Sequence, residues 1–399
     1  MLRRVLGVPL LVGYGLGVII GAGIYVLVGP VIAVAGPFAP LSFLLAGLIA
    51  ALAGLCYAEL AVRFPEAAGA AAYVKEAFRS DLLSWLIGLA VCIVTLTSTA
   101  AVARGSVFYA QAFIALPPAA IVTALVGACT VAACIGVRES VSIAAAMTVV
   151  EVGGLLVVIA AGWSDLPTVE ALSASLPAQL AVFDPAAIVA GAFLSFFAYI
   201  GFENLANMAE EAREGERTLP RALIISLALS TVLYVLVAAV AASPTVAIGA
   251  AADHAAPLLE IGQKTGWFSP RAFAGVSLIA VSNGVLIEIL MLSRLLYGMA
   301  QRGWLPAWLG TVHHRTASPV PATLLAGIAV FALAASLDTA FLAGTTSAIT
   351  LLIFTVVCGA LWRLQRNQPR LAGFVVPRLV PPIAGALCLG LAVAQLLLG

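Results

Sequence analysis

Eleven apolar runs, each long enough to cross about 30 Å of hydrocarbon, leave this chain few ways to fold. They lie near 7–33, 38–62, 82–104, 118–136, 140–162, 186–211, 221–243, 273–298, 320–337, 339–362 and 373–397. In lipid every backbone polar group must be satisfied inside the protein, so runs of this length are helices. Charge is also scarce: 9% of residues are charged and 63% hydrophobic, where a soluble domain carries about a quarter charged residues. The fold class expected is an all-α polytopic membrane protein, with residues 1–399 as one transmembrane domain. The first run follows Met1-Leu-Arg-Arg, is too long for a signal peptide and lacks a convincing cleavage site. It is therefore expected to stay as a membrane helix.

Basic residues orient such a chain, because they accumulate in cytoplasmic loops. With the N-terminus inside, sixteen of the 19 arginines and lysines fall on the cytoplasmic side, among them Arg3, Arg4, Arg63, Lys75, Arg302 and Arg378. Only Lys264, Arg271 and Arg104 fall outside. This predicts a multi-pass protein of the cell (inner) membrane, its C-terminal tail outside. The lipid bilayer is its surroundings, and a net charge of +1 gives no sign of a nucleic-acid partner. The six cysteines all sit in apolar runs without CxxC spacing, as small core residues do. Three histidines without HExxH spacing suggest no metal and no cofactor. No phosphate-binding loop indicates a pump. A membrane-embedded acyltransferase would need clustered catalytic groups, yet His313-His314 has no acid at useful spacing, so no catalytic residue is expected.

One run is unusual for a membrane helix. Gly17 to Gly29 reads GVIIGAGIYVLVG, although each glycine costs a helix roughly 0.5–1 kcal/mol relative to alanine. At Gly21-Ala22-Gly23 the backbone can leave helical geometry and expose N–H and C=O groups to a small ligand. Freed backbone at that depth is tolerated only against protein or a water-filled cavity. The competing reading is a small-residue packing face at Gly13, Gly17 and Gly21.

The sixth run supplies a match. It reads GAFLSFFAYIGFENLANMAEE from Gly191, with helix-weak residues at Tyr199-Ile200-Gly201. It opens a second block of five runs, as the first run opens the first block. The blocks are 7–162 and 186–362, with 373–397 as an additional helix. Blocks of five spans must sit inverted, and the long loops Phe64–Asp81 and Thr245–Pro270, each able to carry a short helix, fall on opposite faces as this requires. Interrupted helices at corresponding positions of two halves point to a transporter binding site.

These residues resemble a known family, the amino acid–polyamine–organocation (APC) transporters. Ile20-Gly-Ala-Gly-Ile-Tyr25 is similar to the family's first-helix signature IGxGIF, Tyr25 departing by a hydroxyl. Phe196 to Glu203, with Ala209-Glu-Glu211 and Leu219-Pro-Arg-Ala222, is similar to its sixth-helix signature. Tyr57-Ala-Glu-Leu60 with Phe64-Pro65 resembles the end of the second helix. Ser293-Arg-Leu-Leu-Tyr-Gly-Met-Ala300, Leu305-Pro306 and Ser318-Pro-Val-Pro-Ala322 resemble the end of the eighth helix and its loop. The resemblance implies the LeuT-like five-plus-five inverted-repeat fold and transport of amino acids or related amines. The family usually has twelve helices; this sequence has eleven, which leaves the dimeric arrangement of some relatives, and so the oligomeric state, open.

An amino acid substrate is a zwitterion, and a dry site must satisfy both its charges. N–H groups around Ala22, Gly23 and Ile24, at the N-terminal end of the outer half-helix, suit the carboxylate. Carbonyls around Val18 and Ile19, and from Phe196 through Phe197 and Ala198 to Tyr199, suit the ammonium, with Ile20, Gly21 and Gly201 as further residues of the same candidate site. Tyr199 or Phe202 would close the side-chain pocket, with Phe197 a further candidate. Apolar and aromatic lining leans toward neutral amino acids, while Glu203, just past the second break, keeps cationic ones and polyamines in play; it can equally pair with a backbone donor near the break.

Two carboxyls lie at mid-membrane, where charge is expensive and functional by default: Glu151 in the fifth run and Glu288 in the eighth. The resemblance implies that these helices flank the inner half of the first. Several sodium-independent relatives carry a lysine at or near the position of Glu151, so the charge here is reversed. Glu151 is the candidate for taking up a coupling proton, with Glu288 near enough to share a hydrogen bond; a permanently protonated core carboxyl competes with that role. Proton symport, exchange and sodium coupling all remain open, as does a non-transporting amino-acid sensor. Arg104 is read as snorkelling to the interface rather than gating. Glu59, Glu210, Glu211, Arg213, Arg217 and Arg221 are either inner-gate ion pairs or, more simply, solvated helix ends.

Overall fold

The computed structural model describes residues 7–21, 23–64, 69–135, 137–167, 183–206, 215–243, 258, 261, 266, 268–313, 318–367 and 373–398. Among them there are helices and no strands. Eight stretches are long and apolar enough to cross a membrane, and Val8–Ile20, Pro118–Cys134 and Val320–Ser336 are shorter apolar helices. The chain is thus an all-α polytopic membrane protein.

The first run is two helices, α1 (Val8–Ile20) and α2 (Gly23–Ala35). α3 (Ala39–Arg63) follows, then the short α4 (Gly69–Phe78), which occupies the loop where a short helix was expected. α5 (Asp81–Ala110), α6 (Pro118–Ile135) and α7 (Val137–Gly162) complete the first half. The sixth run is again divided, into α8 (Pro185–Phe196) and α9 (Phe202–Ala206), with a 3-10 turn at Phe197–Tyr199 between them. α10 (Gly215–Ala241), α11 (Pro270–Gln301), α12 (Val320–Ser336), α13 (Thr339–Asn367) and α14 (Val380–Leu398) follow. The loop Thr245–Pro270 lies almost wholly outside the described residues.

Helix starts are written into the sequence. Ser80 accepts the Leu83 N–H at the head of α5, and Ser269 accepts that of Ala272 at the head of α11. Asp184 accepts the Ala186 N–H ahead of Pro185, a proline at the first helical position where a missing donor costs nothing. One end differs from expectation. α5 continues past Arg104 to Ala110, and the Arg104 guanidinium donates to the Ala334 carbonyl, 2.9 Å away in the last turn of α12. The charge caps the end of a neighbouring helix.

Packing pairs the two halves in a regular way. α1 packs on α10, and α8 on α3; α5 packs on α13 and α12, and α11 on α7 and α6. α3–α10 and α5–α11 contacts join the halves. Polar groups inside this core are matched over long sequence distances. Tyr25 donates to the Glu151 carbonyl (2.6 Å), Tyr109 to the Tyr25 carbonyl (2.5 Å) and Tyr199 to the Phe43 carbonyl (2.8 Å). A buried phenol has to find such a partner, so each tyrosine fixes one helix against another.

Glu59 corrects another expectation. It is fully buried rather than solvated at a helix end. Arg63 bonds one oxygen (Nη2 2.6 Å), while the Gln365 amide (2.8 Å) and the Val376 N–H (2.7 Å) take the other. Arg217 and Arg221 are exposed; Glu210, Glu211 and Arg213 lie outside the described residues.

Candidate functional site

The two breaks meet. α1 ends at Ile20, and Gly21 leaves helical geometry before α2 resumes at Gly23. Beyond Tyr199 the backbone is extended at Ile200, and Gly201 has φ +123°, which only glycine adopts without strain. A Cβ on Gly23 would lie 2.7 Å from the Ala198 Cα, and one on Gly201 would lie 2.7 Å from the Val18 carbonyl oxygen. The glycines are thus what lets the two interrupted chains cross in contact. The packing-face alternative fails on the same geometry. Around Gly13 nothing approaches within 4 Å and at Gly21 nothing comes closer than 3.7 Å; only Gly17 is tight, against Thr148 of α7.

A cavity of about 510 Å³ opens from the breaks toward the end of the bundle that carries α4 and Arg302. Of the residues singled out in the sequence, Val18, Ile19, Gly21, Gly23, Phe197, Ala198, Gly201, Glu203 and Glu288 line it. Ile20, Ile24, Phe196, Tyr199, Phe202 and Glu151 do not; all six are fully buried in the surrounding core. Ala22 lies outside the described residues. Tyr199 turns toward α3, and Phe202 stacks edge-on against Tyr57 at 5.8 Å. The aromatic lining instead comes from Phe197, Tyr57, Phe354 and Trp304, with Tyr57 and Phe354 packed edge-on at 5.2 Å.

The carboxyls are separated. Glu203 accepts the Gly201 N–H at 2.9 Å, the backbone pairing that was one of its two readings. Glu288 accepts the Ser98 hydroxyl at 2.6 Å, and its other oxygen has no hydrogen-bond partner. Glu151 accepts the Asn283 amide at 2.7 Å, and the same amide nitrogen is 3.4 Å from the Thr148 hydroxyl. The anticipated Glu151–Glu288 hydrogen bond is absent. Glu151 faces Asn283 behind α1, while Glu288, further along α11, faces α5 across the cavity. Of the flanking helices expected, α7 packs directly on α1.

Sequence reasoning passed over several residues here. Tyr234 of α10 donates to the Ile19 carbonyl (2.7 Å) and lies 2.9 Å from that of Ala198, joining both breaks through one hydroxyl. Ser98 and Asn283 were polar residues inside apolar runs, a signal that was available. Tyr234 gave none, since a tyrosine in a membrane helix also reads as core.

Comparison with known proteins agrees with this architecture. The amino acid permease family matches residues 6–398. Cationic amino acid transporter 2, vacuolar, of Arabidopsis thaliana is 34% identical over 92% of this chain and 61% of its own length. Cationic amino acid transporter 3, mitochondrial, of the same plant is 33% identical over 89% of this chain and again 61% of its own length. The methylthioribose transporter of Bacillus subtilis (strain 168) is 29% identical over 94% of this chain and 85% of its own. The chain therefore spans about three fifths of those plant relatives. It belongs to the amino acid permease family. It is a multi-pass membrane protein.

Proposed function

We propose that this chain carries amino acids across the cell membrane by alternating access, holding the substrate between the two helix breaks. The observation that carries this reading is the cavity ending on both breaks at once. There the N-terminal end of α2 offers N–H donors for a carboxylate, and the carbonyls at the end of α1 and near Ala198 offer acceptors for an ammonium. The matched packing of α1 on α10 with α8 on α3, and of α5 on α13 with α11 on α7, supports two inverted five-helix blocks (7–162 and 186–362). With the basic face cytoplasmic, the cavity opens inward.

Proton coupling through Glu151 is the second part of the proposal. Glu151 Oε2 and Asn283 Oδ1 are both buried without partners, and both are acceptors when Glu151 is ionised. A proton on Oε2 turns one of them into a donor and lets the acid–amide pair close as a ring. Behind α1, one turn from the Thr148 side chain that meets Gly17, loading and unloading of that proton is positioned to act on the broken helix.

A neutral side chain was the leading expectation from the aromatic lining. A cationic one is favoured by two carboxyls, Glu203 and Glu288, facing the same cavity. The test is counterflow in proteoliposomes preloaded with unlabelled amino-acid mixtures, followed by uptake of labelled alanine, leucine, lysine, arginine and glutamate. Exchange of one class supports a carrier and gives its substrate. No exchange under any ion gradient would leave a sensor as the better reading.

A further inference from the structure

We propose that Glu288, held by Ser98, is the specificity-determining residue of the cavity and binds the positively charged end of a substrate side chain. This rests on the amino acid carrier reading and adds the side chain that the site selects. The Ser98 hydroxyl occupies Glu288 Oε1 at 2.6 Å and orients the carboxyl. The neighbouring Thr99 hydroxyl also stands beside this carboxyl but donates to the Thr95 carbonyl at 2.6 Å, and Oε2 has no hydrogen-bond partner. Among the described residues no lysine or arginine forms an ion pair with Glu288. Arg294, further along α11, and Arg302, just past its end, line the same cavity toward its mouth.

A buried carboxyl oxygen with no partner is costly in a core, and a donor that reaches it offsets that cost. Glu203 lines the same cavity beside the second break. A substrate whose α-carboxylate and α-ammonium sit at the breaks sends its side chain into the space between α5 and α11. A terminal ammonium or guanidinium there meets Glu288, while an aliphatic side chain of equal length strands the carboxyl against methylenes. The discrimination is therefore between isosteres, lysine against norleucine, rather than between sizes.

The experiment is competition by lysine, ornithine, norleucine and norvaline against counterflow of the best labelled substrate, with thermal stabilisation of detergent-purified protein by the same compounds. The wild type is expected to prefer lysine over norleucine by about tenfold or more, the scale of one charge-assisted hydrogen bond. Glu288→Gln keeps the shape and the Ser98 bond and should bring the ratio close to one; Ser98→Ala should reduce it several-fold. Wild-type exchange confined to neutral amino acids would overturn the subsite while leaving the carrier reading intact. An unchanged lysine/norleucine ratio in Glu288→Gln would also overturn it. Should Glu288→Gln fail to fold, the wild-type lysine/norleucine ratio, by competition and by stabilisation, still decides. Loss of pH-driven accumulation in Glu288→Gln with the ratio retained would make Glu288 a coupling group instead. Absence of exchange and of stabilisation by every compound would overturn both proposals.

Discussion

The Tyr234 hydroxyl stands 2.7 Å from the Ile19 carbonyl oxygen, one residue before α1 ends. The Ala198 carbonyl of the second break lies 2.9 Å from the same hydroxyl. One proton thus serves two acceptors that interrupted helices have left without their usual partners. The same carbonyls are those proposed above for the substrate's ammonium, and on that proposal the phenol would stand in for part of the ligand when the site is empty.

Tyr234→Phe should therefore lower the stability of the substrate-free protein by about 1–3 kcal/mol, the cost of leaving buried acceptors unsatisfied. Added substrate should recover more stability in the variant than in the wild type. Thermal unfolding with and without the transported amino acid measures both. Equal substrate-induced shifts in the two proteins would separate Tyr234 from the binding site.

The glycines at the breaks make a sharper steric prediction. Gly23→Ala puts a methyl 2.7 Å from the Ala198 backbone, where no flexible side chain can yield. Gly13→Ala, inside the regular part of α1, meets nothing within 4 Å. Counterflow should fall at least about tenfold for Gly23→Ala, since overpacking of about 1–3 kcal/mol or more falls on the crossing itself. Gly13→Ala should be close to neutral. Similar losses for both would mean that close approach at the crossing is not what Gly23 supplies.

These breaks were legible from sequence because glycine density is expensive in a helix and has to be explained. The division of the sixth run at Tyr199-Ile200-Gly201 was legible for the same reason. The side-chain partners were not. Tyr199 and Phe202 lie in the right stretch, yet the local turn at Phe197–Tyr199 directs Tyr199 to the Phe43 carbonyl and buries Phe202 against Tyr57. A rotation of about 100° per helical residue decides which aromatic faces a cavity, and an irregular turn removes the regular count. Glu151 and Glu288 were visible as charges in lipid, but their partners Asn283 and Ser98 lie 132 and 190 residues away. Only the tertiary fold pairs them.

Glu151→Gln tests the coupling proposal. Glutamine reproduces the protonated acid, its amide donating where Oε2–H would, so the variant should fold with near wild-type stability. Exchange at equal pH on both faces should continue, at a changed rate, whereas accumulation driven by an imposed pH gradient should disappear. Uptake in proteoliposomes with and without the gradient reads both. Wild-type transport indifferent to pH, with Glu151→Gln fully active, would sink proton coupling at this residue.

The buried carboxyl of Glu59 gives a prediction about stability rather than transport chemistry. Its two oxygens hold Arg63 of the same helix, Gln365 near the end of α13, and the Val376 N–H of the segment leading into α14. Glu59→Ala would leave a nearly buried guanidinium, a side-chain amide and a backbone donor unpaired together. Breaking a buried ion pair from one side costs about 3–5 kcal/mol, so the variant should unfold at a clearly lower temperature. Glu59→Gln keeps an acceptor for Val376 but loses the charge facing Arg63, and should fall between the two. Because only one partner remains charged in both variants, Arg63→Met combined with Glu59→Gln should be more stable than Glu59→Gln alone. That order, read from thermal unfolding of the four proteins, identifies the stranded arginine as the source of the loss. If the double variant is the least stable, the network acts through its packing instead.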